Sequence, residues 1–158
     1  MFRELMRKHN QLSPQECIEI LKGETRGVLS VHGENGYPYG TPMNHFYNEA
    51  DGSIYFHCGN AGHRLDALTE NQKVSFCTYT SGDRPEGEWA FLVKSVIVFG
   101  TIEILDDMDQ IVDITTKLSL KFIQDMEHIQ DEINRAAHRT LLLKLTPEHI
   151  CGKLVKEA

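Results

Sequence analysis

Ile54-Tyr55-Phe56-His57-Cys58-Gly59-Asn60-Ala61-Gly62-His63-Arg64-Leu65-Asp66-Ala67-Leu68 packs a strand, a turn and a helix start into one short run. The apolar stretch that begins at Ile54 stops at Gly59-Asn60-Ala61-Gly62, four small residues of the kind that break a strand. From His63 to Glu70 the spacing of Leu65 and Leu68 predicts a short helix with both leucines inward. Small turn residues let backbone N–H groups approach an anion, the helix N-terminus adds partial positive charge, and Arg64 supplies a fork of donors. The same residues also suit an ordinary strand–turn–helix whose Arg64 is simply solvated, and physical chemistry alone leaves both readings open. His57 and Cys58 are strand neighbours, so their side chains face opposite sides of the sheet.

Working outward, the upstream chain reads as a capped helix followed by hairpins. Ser13-Pro14-Gln15-Glu16 has an N-cap serine, proline at the first helical position and glutamate at N3, with Gly23 as the stop. Arg26 to His32 and Tyr37 to Tyr47 flank Asn35-Gly36, a hairpin signal. A turn at Asn48 to Gly52 leads into the strand that ends at Cys58.

Downstream, Lys73 to Thr80 alternates as a half-buried strand, and Ser81 to Glu88 is a polar loop. Trp89 to Leu105 is the longest β-rich run, with a bend or bulge expected at Gly100. Trp89, the sole tryptophan, is a candidate either for ordinary packing or for the wall of a substrate pocket.

From Asp107 to Ile129, apolar residues recur at three- and four-residue spacing, which predicts one amphipathic helix capped by Asp107. The acidic residues at its start suit the helix dipole. A second helical stretch is expected near Asp131 to Ala137. Thr140 to Thr146 and His149 to Val155 then return to strand on either side of Thr146-Pro147-Glu148. Six or seven short strands in hairpin order, with the helices late, predict a closed or nearly closed antiparallel barrel. Tight turns between the early strands exclude a doubly wound parallel fold.

The chain has 158 residues, 41% of them hydrophobic and 25% charged, with a formal charge of −7. That is one soluble globular domain spanning 1–158, and its acidic balance argues against a nucleic-acid footprint. No apolar run approaches the length of a membrane-spanning helix. Met1 to Lys8 is too charged for a secretory signal. Four isolated cysteines without a CxxC pair read as reduced thiols, so the expected location is the cytoplasm. No GxSxG, HExxH, Walker or GxGxxG motif is present, and the eight histidines do not form a metal-ligand spacing.

Taken in order, Arg26-Gly27-Val28-Leu29, Gly36-Tyr37-Pro38-Tyr39-Gly40-Thr41-Pro42-Met43-Asn44, Ile54-Tyr55-Phe56-His57, Gly62-His63-Arg64-Leu65-Asp66 and Ser95-Val96-Ile97-Val98-Phe99-Gly100-Thr101 resemble a known family. It is the pyridoxamine 5′-phosphate oxidase-like flavin-binding split barrels, particularly the branch associated with 5-nitroimidazole resistance. The resemblance runs from Met6 to Lys153.

It implies a mainly β fold with peripheral helices: a six-stranded antiparallel split β-barrel. It further implies a homodimer holding FMN, with FAD the alternative, in clefts between subunits. Gly62, His63 and Arg64 match the phosphate-binding turn, with Arg64 the main anchor because His63 replaces a second permanent cation. His57 and Cys58 match the strand end beside the ribityl chain and phosphate. Thr41, Pro42, Met43, Asn44 and His45 match the strand whose backbone follows the isoalloxazine edge. Ser95 matches a polar position contributed by the second subunit.

The function so implied is a flavin-dependent oxidoreductase, an NAD(P)H-linked reductase of small electrophiles such as 5-nitroimidazoles. The alternative is a non-catalytic flavin- or haem-binding sensor on the same barrel. No catalytic side chain and no metal ligand is assigned. Dedicated pyridoxamine phosphate oxidases carry further substrate-phosphate residues near the C-terminus. None is matched before Ala158, so the broader branch is expected over vitamin B6 oxidation.

Overall fold

The computed structural model describes residues 1–157. Helix α1 (Pro14–Gly23) starts as its sequence dictates. The Ser13 side chain accepts from the Glu16 N–H at 3.2 Å, and the Glu16 carboxylate accepts from the Ser13 N–H at 3.0 Å. Strands β1 (Arg26–His32) and β2 (Pro38–Asn44) form a hairpin in register from Arg26 opposite Asn44 to His32 opposite Pro38. Asn35 takes the left-handed conformation at its turn, with φ of 57°.

One more residue changes the path of the chain. Strand β3 (Phe46–Asn48) abandons β1 and pairs instead with β4 (Ser53–Gly59). The run Tyr37 to Tyr47 is therefore two strands hinged at His45, and the barrel has seven strands where six were expected. Alternation continues through His45, so the side-chain pattern carried no sign of the exchange.

Helix α2 (His63–Glu70) precedes β5 (Lys73–Tyr79) and β6 (Phe91–Leu105). Two helices, α3 (Met108–Ser119) and α4 (Met126–Ala136), lead to β7 (Thr140–Glu157). The sheet order is β2-β1-β5-β6-β7-β4-β3, antiparallel throughout. Its two edge strands are consecutive in sequence. The sheet therefore curls until its edges meet, and His45 joins them covalently where no ladder does. Along that seam β2 and β4 face one another unpaired.

The single helix expected from Asp107 to Ile129 is two. It stops at Ser119, and Asp125 caps the restart by accepting from the His128 N–H at 3.0 Å. Phe122 and Met126 continued the apolar spacing, yet they are 49% and 51% exposed. The two C-terminal strands are likewise one. Register slips at Phe99/Gly100, with Phe99 opposite His149 and Gly100 opposite Pro147, so Glu148 bulges out. The bulge expected at Gly100 is present, and Pro147, lacking an N–H, sits at its irregular point.

The barrel interior is filled by Leu29, Ile54, Phe56, Phe76, Val96 and Leu143, all fully buried, with Leu21 of α1 closing one end. A smaller cluster lies outside the sheet, where Ile111 and Ile114 of α3 cover Tyr55 and Leu142. Lys121, just past α3, donates to the carbonyls of Glu24 at 2.6 Å and His45 at 2.9 Å. It ties the helical hairpin to the hinge. Among the described residues no helix is long and apolar enough to cross a membrane. Trp89 lies outside the strands and is 74% exposed, so it does not pack in the core.

Candidate anion site at the barrel seam

The strand that ends at Gly59 and the helix that starts at His63 place Arg64 across the seam. Its Nη1 donates to Thr41 Oγ1 of β2 at 3.0 Å. On the β4 side it reaches Cys58, whose thiol pKa is raised by burial and partly held down by the guanidinium. The Nε of Arg64 is buried with no hydrogen-bond partner. No ion pair among the described residues includes it. An unpaired buried donor costs about 1–3 kcal/mol, and a charged one more, unless a ligand satisfies it.

Gly62 is the N-cap of α2, with φ of 133° and ψ of 165°. That region of backbone space belongs essentially to glycine. Nothing lies within 4 Å of where a Cβ would stand, so the constraint is conformational and the space above the turn is open. The first bonds of the helix run from the Leu65 and Asp66 N–H groups to the Gly62 carbonyl, at 2.9 and 3.2 Å. The N–H groups of His63 and Arg64 precede them and are free to face an anion. His63 stacks on Tyr39 of β2, with centroids 4.2 Å apart, and so forms a flat wall beside the turn.

Gly62, His63, Arg64 and Cys58 thus share one locus. His57 lies next to it but on the outer face of β4. Its pKa is lowered by the protein crowded around it, with Arg64 adding to the effect. Asn44 and His57 border a common cavity of about 260 Å³ beneath the α3–α4 hairpin. The Asn44 amide is anchored through Nδ2 to the Thr25 carbonyl at 3.1 Å.

Met43 and His45 turn inward. Met43 is 9% exposed and packs in the barrel core. His45 is fully buried, its Nε2 2.8 Å from the Leu21 carbonyl, and burial with the Lys121 charge lowers its pKa to about 4. What this stretch presents outward is the exposed Pro42, the backbone and Asn44.

Ser95 stands apart within one chain. It pairs with Tyr79 and Lys153, and two strands separate β6 from β2 on one side and one strand separates it from β4 on the other. Thr41, expected only as part of the strand beside the flavin ring, holds Arg64, and Tyr39, which stacks on His63, was not among the expected site residues. Their signal was present in the alternation that puts 39, 41 and 43 on one face of β2. Among the described residues no group of three or more His, Cys, Asp or Glu side chains is placed to hold a metal ion.

A sequence family described as pyridoxamine 5′-phosphate oxidase matches residues 13–154. The chain belongs to that family. Solved structures of the same fold include a candidate 5-nitroimidazole antibiotic resistance protein from Bacteroides thetaiotaomicron, 18% identical, with a TM-score of 0.79 over 93% of this chain and 87% of that one. An FAD-binding protein from Mesorhizobium loti is 20% identical, with a TM-score of 0.67 over 92% and 96%. An FAD and haem binding protein from Mycobacterium smegmatis is 20% identical, with a TM-score of 0.71 over 92% and 73%. At these identities the likeness is one of fold. No curated protein matches the chain. For this member of the pyridoxamine 5′-phosphate oxidase family, the split barrel expected from the sequence is the fold observed.

Proposed function

We propose that the chain is a flavin-dependent oxidoreductase that reduces small electrophiles such as 5-nitroimidazoles at the expense of NAD(P)H. The observation that carries this reading is Arg64, a partly buried guanidinium with an orphaned Nε and no carboxylate partner. It stands at a helix start whose glycine leaves room for a ligand. These residues fit a phosphate monoester such as that of FMN, and FAD is the alternative because it offers a phosphate at the same distance from the ribityl chain. A bound flavin supplies hydride and electron transfer.

The chain's own groups bind and orient. Arg64 and the N–H groups at the start of α2 would hold the flavin's phosphate, and Thr41 fixes the guanidinium. The outward backbone of Pro42 to Asn44 would flank a bound flavin. Cys58 stays a protonated thiol, because burial raises its pKa. His57, with its lowered pKa, is neutral at pH 7 and offers one donor and one acceptor without a charge.

The cleft is completed by a second copy, which brings Ser95. The surface for this assembly is the outer face of β5, β6 and β7, where Cys77, Ile97 and Cys151 lie in one cross-strand row, together with the N-terminal segment whose Phe2 stacks on Phe99 in the next row. Four free thiols suit a reducing cytoplasm.

The test is a visible spectrum of the purified protein, followed by titration with FMN and FAD and an assay of nitroimidazole-dependent NAD(P)H oxidation. A two-banded flavin spectrum is expected. Arg64→Ala should weaken flavin binding about 10–100-fold, the worth of a charge-assisted hydrogen bond or two. Wild-type flavin affinity in that variant would overturn the phosphate assignment, and a single intense haem band would overturn the flavin reading.

A further inference from the structure

The segment before Ser13 forms an arch on the outer face of the sheet. At one end the Phe2 ring stacks on His149, with centroids 4.7 Å apart, and on Phe99 at 5.6 Å. At the other end Gln11 bridges to Lys153, and the Leu12 N–H donates to the Gly152 carbonyl at 3.0 Å. Between these anchors the arch leaves a groove of about 950 Å³, floored by Ile97, Phe99, Cys151 and Val155.

The charge of this groove is one-sided. Arg3, Arg7, Lys153 and Lys156 line it, and no ion pair among the described residues includes any of them. Glu4 is the one carboxylate in its lining, and Lys8 holds it at 2.6 Å. Met6, on the arch, stands almost wholly in water.

The opposite charge is gathered on the α3–α4 hairpin. Between Asp106 and Ala136 there are eight carboxylates and three cations. Lys117 and Arg135 are spent on Asp113 and Glu132, and Lys121 on backbone carbonyls. Glu127 and Asp131, one turn apart on α4, are exposed and enter no ion pair among the described residues. Beside them Phe122, Ile123 and Met126 are exposed. Apolar groups in water favour a cover, and here they are ringed by acid as those of the groove are ringed by base.

Both surfaces lie on the outer face of the β6–β7 ribbon. The arch covers the end where Phe99 faces His149, and α3 packs at the end where Leu105 faces Leu142. Complementary patches at opposite ends of one face meet when a two-fold axis passes between them, and each contact then occurs twice. Ser95 leads to the same arrangement. Lys153 is its register partner on β7, whereas Asn44 and His57 lie beneath the α3–α4 turn. An assembly that carries Ser95 to the second copy's cleft carries Lys153 and the arch toward that copy's hairpin.

We propose that two copies of the chain clasp each other, the basic arch of each receiving the acidic α3–α4 hairpin of the other. This rests on the assembly through the outer sheet face described above. It adds the two elements that hold the copies in register and the charges that select the partner.

Charge reversal tests it. Arg3→Glu with Arg7→Glu makes an arch variant, and Glu127→Lys with Asp131→Lys makes a hairpin variant. All four side chains are exposed, so both variants are expected to fold, which a thermal melt verifies. By sedimentation equilibrium each should dimerise about 10–100-fold more weakly than wild type, because attraction becomes repulsion at two symmetric contacts. Mixed together, the two variants should form a heterodimer within about threefold of wild-type affinity, since both of its contacts are again between opposite charges. Glu34→Lys with Glu70→Lys, beside α2, should not rescue the arch variant. Unchanged dimerisation of either variant, a mixture no tighter than its components, or equal rescue by the α2-side variant would each overturn the clasp while leaving a dimer in place. A wild-type chain that stays monomeric would overturn the clasp and the assembly together, and would return the groove to a separate anionic partner. A dimer that passes these tests and takes up no flavin would sink the flavin reading alone.

Discussion

His45 illustrates how much can hang on a single side chain. It is fully buried, neutral, and hydrogen-bonded to the Leu21 carbonyl, while its own carbonyl accepts from Lys121. Its pKa falls from 6.5 to about 4, so between those values the unfolded chain binds a proton that the folded chain refuses. Folding stability from this residue is therefore complete above pH 6.5 and declines as pH falls through that window, by up to about 3 kcal/mol. Urea unfolding at pH 7 and pH 4.5 should show the decline, and His45→Gln should flatten the part of it that belongs to this window. An unchanged pH slope in the variant would show that other groups carry it. Sequence reading brought Arg64 and Gly62 forward because a small-residue turn before a basic helix start suits an anion as well as an ordinary turn. It did not reach the inward turn of His45, since one polar residue in an apolar run looks the same whether it faces a ligand or a core.

The elements show where pattern reading succeeds and where geometry takes over. The capping box of α1, the Asn35-Gly36 turn and the Gly100 bulge were legible, because each depends on a residue whose conformational or hydrogen-bonding demand is local. The division of the long helical stretch was not, because spacing registers apolar type and says nothing about whether Phe122 or Met126 is covered. Nor was the exchange of partners between β2 and β3, which is decided by strands far away in sequence. At Gly100 the demand is steric: an added Cβ would run into the Thr146 carbonyl and Leu145. Gly100→Ala should destabilise the fold by about 1–3 kcal/mol, read as a lower urea midpoint with unchanged m. A midpoint equal to wild type would mean that β7 yields at Glu148 without cost.

For the whole molecule, the proposed homodimer makes a direct demand on the outer sheet face. Light scattering should give twice the 18.0 kDa of the chain. Ile97→Asp, which puts a carboxylate between Cys77 and Cys151, should return it to monomer and release flavin, while the barrel still melts cooperatively. A variant that stays dimeric would place the interface elsewhere. The barrel architecture was visible from strand count and turn spacing; what joins its ends was not. That joint has a kinetic consequence. The β1–β2 and β3–β4 hairpins are contacts between near neighbours in sequence, but they lie on opposite edges of the sheet. His45 holds those edges together from the start, so the ring closes only when β7, the last strand made, pairs with β6 and reaches back to β4, with Leu145 opposite Ile54. Closing the ring is therefore the most non-local event in folding, and it sets a slow rate for a chain of this size.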